Sequence, residues 1–316
     1  MKNKSCLEEI PGIGPKTASL LSSKGIMSPR HLALFNPEEL CELLELTPER
    51  AEKITRAARR LMRIKKTVTA KDYAEELTKV PRLTTGVKAI DELLGGGLEP
   101  RVIYELAGEF GSGKTQICHQ LAVTAQLSRN RGGIGASCLY IDTEEAFSPN
   151  RIIAVSKRFS LDPTQVLENI NVVKVVNVAD LEDSIKIDAV KMIEENDVKL
   201  VIIDSIISLY RAEFKGREML AARQQRLNYV LDWLLRIAKV YEIYVVVTNQ
   251  VLEVPLAYGE TKRPAGGMVM AHACTHRLLL KRSKENLRVV EVLDSPRLPY
   301  KASAVFKITE RGVEDV

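Results

Sequence analysis

The chain of 316 residues is 45% hydrophobic and 28% charged, and its 46 lysines and arginines outnumber 41 aspartates and glutamates for a net charge of +5. This length allows one large α/β domain, or a core with a small accessory domain. The hydrophobic fraction supports a real core, and the mild positive balance weakly favours an acidic partner such as nucleic acid. The cysteines Cys6, Cys41, Cys118, Cys138 and Cys274 are odd in number and without C-x-x-C spacing, which excludes a disulfide framework and a zinc site. With no signal-like N-terminus and no long apolar run, the expectation is a soluble protein of a reducing intracellular compartment, without a membrane role.

In chain order, residues 1–62 read as short helices joined by turns. Ser28-Pro29, Asn36-Pro37 and Thr47-Pro48 each set a side-chain cap before a proline at the first helical position. Ile10-Pro11-Gly12-Ile13-Gly14-Pro15-Lys16-Thr17-Ala18 puts two glycines in a tight hairpin before a helix expected from Ala18 to Lys24. It resembles a helix-hairpin-helix motif, whose turn can offer N–H groups to a DNA phosphate; a plain turn between packed helices would read the same. Arg56, Arg59, Arg60, Arg63, Lys65 and Lys66 crowd the end of the last small helix, either as a solvated terminus or as phosphate contacts. From Ile64 to Arg82 no apolar period is sustained and Pro81 interrupts, so the linker is placed there. The division is a helical DNA-binding domain over 1–62, a linker over 63–82 and a core over 83–316.

From Leu83 onward β-rich runs alternate with helical segments. Strands are expected at 102–106, 137–142, 170–176, 199–204, 243–249, 277–281, 287–293 and 303–309, several as continuous apolar runs typical of buried parallel strands. Between the first of these and a helix expected over Gln116 to Leu127 lies Gly108-Glu109-Phe110-Gly111-Ser112-Gly113-Lys114-Thr115, a complete G-x-x-x-x-G-K-T phosphate loop. Its backbone N–H groups can surround a β-phosphate, Lys114 can reach the β/γ oxygens and the Thr115 hydroxyl can ligand Mg²⁺, so a nucleoside triphosphate site is predicted.

Past the strand at 137–142, Glu144 stands where ligands of parallel sheets bind. It is the candidate water-activating carboxylate, with Glu145 as its competitor. A helix after Ser160 opens with Asp162-Pro163-Thr164-Gln165, a cap followed by Gln. Leu200-Val201-Ile202-Ile203-Asp204-Ser205 is an apolar strand ending in an acid, which suits Asp204 to hold Mg²⁺ through a water. Two segments read as flexible cationic loops suited to phosphate backbones: Tyr210 to Arg223, with Arg211, Phe214, Arg217 and Arg223, and Leu252 to Gly267, with Lys262, Arg263, Gly266 and Gly267. Between them Gln250 is either a γ-phosphate sensor or a capping side chain. The strands after Arg277 are joined by short turns and are expected to form an antiparallel extension.

Together these motifs resemble the RecA-type recombinases, most closely the archaeal RadA branch and its eukaryotic relatives. The match extends to Leu83-Thr84-Thr85-Gly86, Leu93-Leu94-Gly95-Gly96-Gly97, Gln116 after the phosphate loop, Tyr140-Ile141-Asp142-Thr143-Glu144, Ala222-Arg223-Gln224-Gln225, Thr248-Asn249-Gln250-Val251 and Asp294-Ser295-Pro296. The resemblance implies a RecA-like ATPase core with a mostly parallel sheet, preceded by a small all-α domain. It implies a DNA-dependent ATPase that uses ATP and Mg²⁺ to assemble as a filament or ring on single-stranded DNA and exchange strands with a homologous duplex, with mediator proteins as further partners. A cytoplasmic, nucleoid-associated setting follows in a prokaryote, a nuclear one in a eukaryote. By resemblance, Gly108 to Gln116 bind the nucleotide, Thr115 and Asp204 serve the metal, and Glu144 activates water. Gln250 couples the γ-phosphate to the second DNA loop, and Asp294 and Pro296 belong to a cap over ATP held by a neighbouring subunit.

Three stretches depart from the family pattern. Thr67-Val68-Thr69-Ala70 stands where the family has Phe-x-x-Ala, the hook that docks a subunit on its neighbour. Glu145 to Asn150 replaces the usual Gly and Arg-containing stretch after the catalytic acid. The second loop is short, with Met268 after Gly266-Gly267. A recombinase paralogue that binds ATP and assists without exchanging strands is the alternative reading, and a related hexameric helicase a third.

Overall fold

The computed structural model describes residues 6–62, 67–256 and 259–316, and side chains outside 253–261. The chain divides into two compact units, Met1–Lys79 and Val80–Val316.

In the first unit, helices Pro15–Ser23, Pro29–Leu32, Pro37–Leu44 and Pro48–Leu61 all begin at a proline. Asn36 forms a full capping box with Glu39, and the Ser28 hydroxyl accepts the His31 N–H at 3.0 Å, whereas Thr47 makes no side-chain cap bond. The first helix starts three residues before the expected Ala18 because Gly14, extended, serves as its cap and Pro15 fits its first turn. Leu7, Ile10, Leu21, Leu32 and Leu40 close the small core. Of the basic cluster, Arg59 donates to the carbonyls of Ala33 and Phe35, and Arg56 pairs with Glu52. Arg63, Lys65 and Lys66 lie outside the described residues.

The segment read as linker, 63–82, contains a helix, Ala70–Lys79. Thr69 Oγ1 accepts the Asp72 N–H at 3.1 Å, and Ala, Glu, Leu and Lys favour the conformation. None of its residues is buried, although Ala70, Tyr73, Ala74 and Leu77 fall at i, i+3, i+4 and i+7 and give it an apolar stripe.

The second unit is built on strands β1 (Ile103–Gly108), β2 (Ser137–Asp142), β3 (Ile170–Lys174), β4 (Val198–Asp204), β5 (Tyr244–Leu256), β6 (Gly259–Pro264), β7 (His276–Arg282), β8 (Leu287–Asp294), β9 (Ser303–Thr309) and β10 (Gly312–Asp315). Their order is β10-β9-β8-β7-β1-β5-β4-β2-β3, with β6 paired to β5 off this path. From β7 to β3 the pairing is parallel; β8, β9 and β10 extend it antiparallel.

The apolar runs are continuous because both faces are covered. Tyr104, Leu106, Cys138, Tyr140, Ile202 and Val246 face helix Lys114–Thr124, and the alternate residues Ile103, Leu139, Ile141, Ile203 and Val247 are equally buried on the other face. Helix Leu220–Tyr241, with the fully buried Trp233, packs on β1 and β5. Register sets the functional edge: Gly108 pairs with Gln250 and Asp142 with Asp204, so the ends of four parallel strands open on one side.

Candidate nucleotide and DNA site

At that edge the chain leaves β1 through the phosphate loop and enters helix Lys114–Thr124. Gly113 precedes the helix at φ +104°, a conformation that L side chains rarely adopt. A Cβ on Gly108 would come within 2.5 Å of Ser112 Oγ and 2.6 Å of Leu280 O, so the loop can close only on glycine there. Lys114 Nζ donates to the carbonyls of Gly108 and Glu109, both at 2.9 Å. Burial holds its ammonium below the ordinary lysine range, opposed by the charges of Asp204 and Glu144.

The loop forms one wall of a cleft of about 1000 Å³ that contains every residue from Gly108 to Gln116 except Ser112, together with Glu144, Asp204, Ser205, Thr248 and Gln250. Phe110 is 96% exposed at its rim. Ser112 Oγ and Gln116 Oε1 are buried without hydrogen-bond partners among the described residues. The Lys114 ammonium and the N-terminus of its helix, both opening on this cleft, fit a phosphate chain. Mg²⁺ takes only one or two protein oxygens beside substrate phosphates and water. The Thr115 hydroxyl and the Asp204 carboxylate, both facing the cleft, fit that role.

Asp204 is held in place by two donors, Tyr140 Oη at 2.8 Å and Thr248 Oγ1. The Asp204–Ser205 peptide is cis. Ser205 Oγ donates to Glu144 Oε1 at 2.7 Å, and Gln250 Nε2 donates to the same oxygen at 3.0 Å. Of the two competing acids, Glu144 lines the cleft and Glu145, at φ +53°, does not. Arg211 Nη1 donates to Gln250 Oε1 at 3.0 Å, so the Gln250 amide bridges a carboxylate and a guanidinium.

Both segments read as flexible loops are largely ordered. Tyr210 and Arg211 lie in helix Ser208–Glu213 and Arg223 in helix Leu220–Tyr241, because the buried Tyr210 hydroxyl donates to Glu182 at 3.0 Å and Arg226 pairs with that same acid. Phe214 ends the short helix with its ring near Tyr210 and Arg226; Arg217 is exposed between the two helices. In the second segment β5 runs on to Leu256 and pairs antiparallel with β6, from Val251 opposite Pro264 to Leu256 opposite Gly259. Lys262 and Arg263 therefore sit on a strand. Gly266, at φ +80°, caps helix Gly267–Ala273. Lys262 pairs with Glu109 of the phosphate loop and holds that carboxyl below the usual range. The base of the hairpin is fixed by Ala265 N donating to Gln250 O at 2.8 Å and Asn249 Nδ2 to Ala265 O at 2.8 Å.

Asp294 and Pro296 lie elsewhere. Arg282 of β7 pairs with Arg288, whose guanidinium donates to Gly111 O at 3.0 Å at the loop end of the sheet; Asp294 pairs with Arg277, five residues back along β7. Gly108, where the loop begins, is in register with Leu280, three residues beyond Arg277, so at roughly 3.3 Å per residue Asp294 lies about 10 Å short of the loop along the strands. The turn after Asp294 is tied down from below. Ser295 Oγ is 2.9 Å from His276 Nδ1, and His276 Nε2 is 2.8 Å from the buried Glu99, which also pairs with Arg297.

Several cleft residues carried no signal in the sequence. Arg151 donates to the carbonyls of Glu310 (2.7 Å) and Thr309 (2.6 Å), and these three line the wall together with Ile308 and Arg288. Ser205 was visible only as the neighbour of Asp204.

Residues 76–316 match the family described as Rad51, and residues 6–60 match the SAM-like helix-hairpin-helix tandem. Over 310 residues, 98% of this chain and 96% of the relative, the chain is 41% identical to the "DNA repair and recombination protein RadA" of Aeropyrum pernix. Over 321 residues, 99% and 97% of the two chains, it is 42% identical to the protein of the same description from Ignicoccus hospitalis.

Proposed function

The chain belongs to the Rad51 family, and from that premise we propose that it is a DNA-dependent ATPase and recombinase, which assembles on single-stranded DNA with ATP bound and exchanges strands with a homologous duplex. One observation carries the coupling of ATP to DNA. The Gln250 amide bonds both Glu144 and Arg211, while its own strand continues into the hairpin that bears Lys262 and Arg263.

In this reading Lys114 turns from the Gly108 and Glu109 carbonyls to the β/γ oxygens of ATP, and the loop amides hold the rest of the phosphate chain. The Thr115 hydroxyl, with Asp204 in support, would hold a Mg²⁺ ion, which would supply neutralisation of charge on the phosphates. Glu144, steadied by Ser205, orients and deprotonates the attacking water. Gln250 senses the γ-phosphate, and its contact with Arg211 and the hairpin base carries that state to the DNA-facing segments. Arg211, Phe214, Arg217, Arg223, Lys262, Arg263 and the Gly266-Gly267 turn form the DNA surface, and contact with the phosphate backbone makes binding salt-dependent. Asp294 and Pro296, which do not line the cleft of their own chain, act on the ATP of a neighbouring copy.

The test is ATP-dependent exchange between circular single-stranded and homologous linear duplex DNA with the purified chain alone. Exchange is expected, and Lys114→Ala should abolish it. ATP binding with neither filament nor exchange would overturn this reading and favour a regulator of another recombinase. Thr67, exposed where the family's docking aromatic stands, motivates that alternative.

A further inference from the structure

The loop between Asp142 and Ser148 carries Glu144, and its shape comes from two side chains outside the cleft. The Asp142 carboxylate accepts the N–H groups of Glu144 (3.2 Å), Ala146 (3.1 Å) and Phe147 (3.0 Å), so the backbone winds around it. At the far end the Ser148 N–H donates to His119 Nε2 at 3.1 Å. His119 is only 1% exposed. It stacks on Tyr140 at 5.7 Å and 16°, and meets Phe147 edge-on at 5.4 Å. The Tyr140 hydroxyl in turn bonds Asp204.

His119 lies on the helix that begins with Lys114 and Thr115, four residues after Thr115 and so on the same face. We propose that His119 is a positioning residue of the ATPase, its imidazole tying the Glu144 loop to the helix that holds the phosphates and thereby fixing the carboxylate relative to the γ-phosphate. The proposal rests on Glu144 as the water-activating group.

Two further observations support it. Because Nε2 accepts, the ring hydrogen resides on Nδ1, and that atom is buried with no partner among the described residues. An unpaired buried donor carries a desolvation penalty that an apolar ring in the same aromatic box would not, so packing alone is no reason for a histidine there. Burial also pushes the imidazole down to about 4, against the pull of Asp204 and Asp142 and with the help of Arg151, which keeps it neutral and able to accept near pH 7.

The experiment is steady-state ATP hydrolysis on single-stranded DNA by the full chain, with ATP affinity measured separately. His119→Phe removes the acceptor and keeps the volume. It should lower kcat about ten- to hundredfold, as expected when a reacting group is misplaced by an ångström or less, while the Kd for ATP stays within about twofold. His119→Gln, whose amide oxygen can reach the Nε2 position, should recover most of kcat. His119→Asn, equally polar but too short, should not. If His119→Phe does not fold, the Gln and Asn pair decides. Equal kcat for Gln and Asn, or a loss of ATP affinity that parallels the loss of kcat, overturns the proposal. Glu144→Gln is the separate control: turnover at the wild-type rate would remove the reading of Glu144 itself, whatever His119 does.

Discussion

Replacing Arg277 by methionine should destabilise the core unit severely. Glu105, on β1, is fully buried, and its register partner on β7 is Arg277, itself 8% exposed. Arg277 Nε donates to Glu105 Oε2, and Asn249 Nδ2 donates to the other oxygen at 2.6 Å. Methionine matches the length of the arginine stem but leaves the carboxylate buried with a single neutral donor. Breaking a buried pair from one side costs about 3–5 kcal/mol, because the remaining charge can neither hydrate nor find a new partner.

For a unit of this size each kcal/mol lowers Tm by about 2–4 °C, so a drop of roughly 6–20 °C is expected. Removing both charges, as Glu105→Leu with Arg277→Met, should be much milder than the single change. Buried pairs replaced by apolar residues of similar volume are often neutral or more stable by about 1–4 kcal/mol. Urea unfolding followed by circular dichroism, resolving the core transition from that of the small unit, measures all three proteins. A loss under about 1 kcal/mol for Arg277→Met, or a double variant as unstable as the single one, would refute the argument.

Two further outcomes follow from the same structure. His119 has a folded value near 4 against 6.5 for the free side chain. From pH 6.5 down to 4 the unfolded chain therefore takes up a proton that the folded chain refuses, and stability falls by about 3 kcal/mol over that window, with no contribution above it. The loss should vanish in His119→Gln when ΔG of unfolding is measured against pH; an unchanged pH slope would contradict it. Arg151→Met should free the carbonyls of Thr309 and Glu310 from their only described side-chain donor at the cleft wall. ATP binding measured by calorimetry should weaken several-fold, at a stability loss of about 1–3 kcal/mol. Unaltered affinity would mean that this wall does not shape the nucleotide site.

The residues legible in the sequence are those whose chemistry depends on near neighbours. The phosphate loop needs Gly108, Gly113, Lys114 and Thr115 at fixed spacing, and Asp204 and Glu144 stand at the ends of apolar runs that can only be buried strands. Arg151 was invisible because its partners are about 160 residues away, brought to the cleft only by the antiparallel return of β9 and β10. His119 was hidden for a related reason: where the helix is buried on every side, from Ile117 to Thr124, a polar residue shows no pattern, and its meaning depends on where the Ser148 amide arrives. The β5–β6 hairpin was read as a loop from the cations and glycines of its segment, Lys262, Arg263, Gly266 and Gly267, although Pro255 and Pro264 lie on its strands. A two-stranded ribbon outside the main sheet tolerates proline, since many of its N–H groups have no ladder partner to lose. Helix Ala70–Lys79 was legible in the apolar spacing of Ala70, Tyr73, Ala74 and Leu77 but is short beside the unsustained stretch before it, so it was read as linker.

The separation of Asp294 from the phosphate loop along β7 also bears on symmetry. When one end of the sheet donates the cover and the other receives it, a two-fold pair cannot satisfy both surfaces, and each added copy presents the same unmet need as the last. On the proposed reading the contact is heterologous, so assembly has a direction and either closes into a ring or continues as an open stack. In an open stack of n copies only n − 1 nucleotide sites are covered, and one terminal protomer always holds its ATP without a lid. That end differs chemically from every other position, which makes it the natural place for growth and loss to begin.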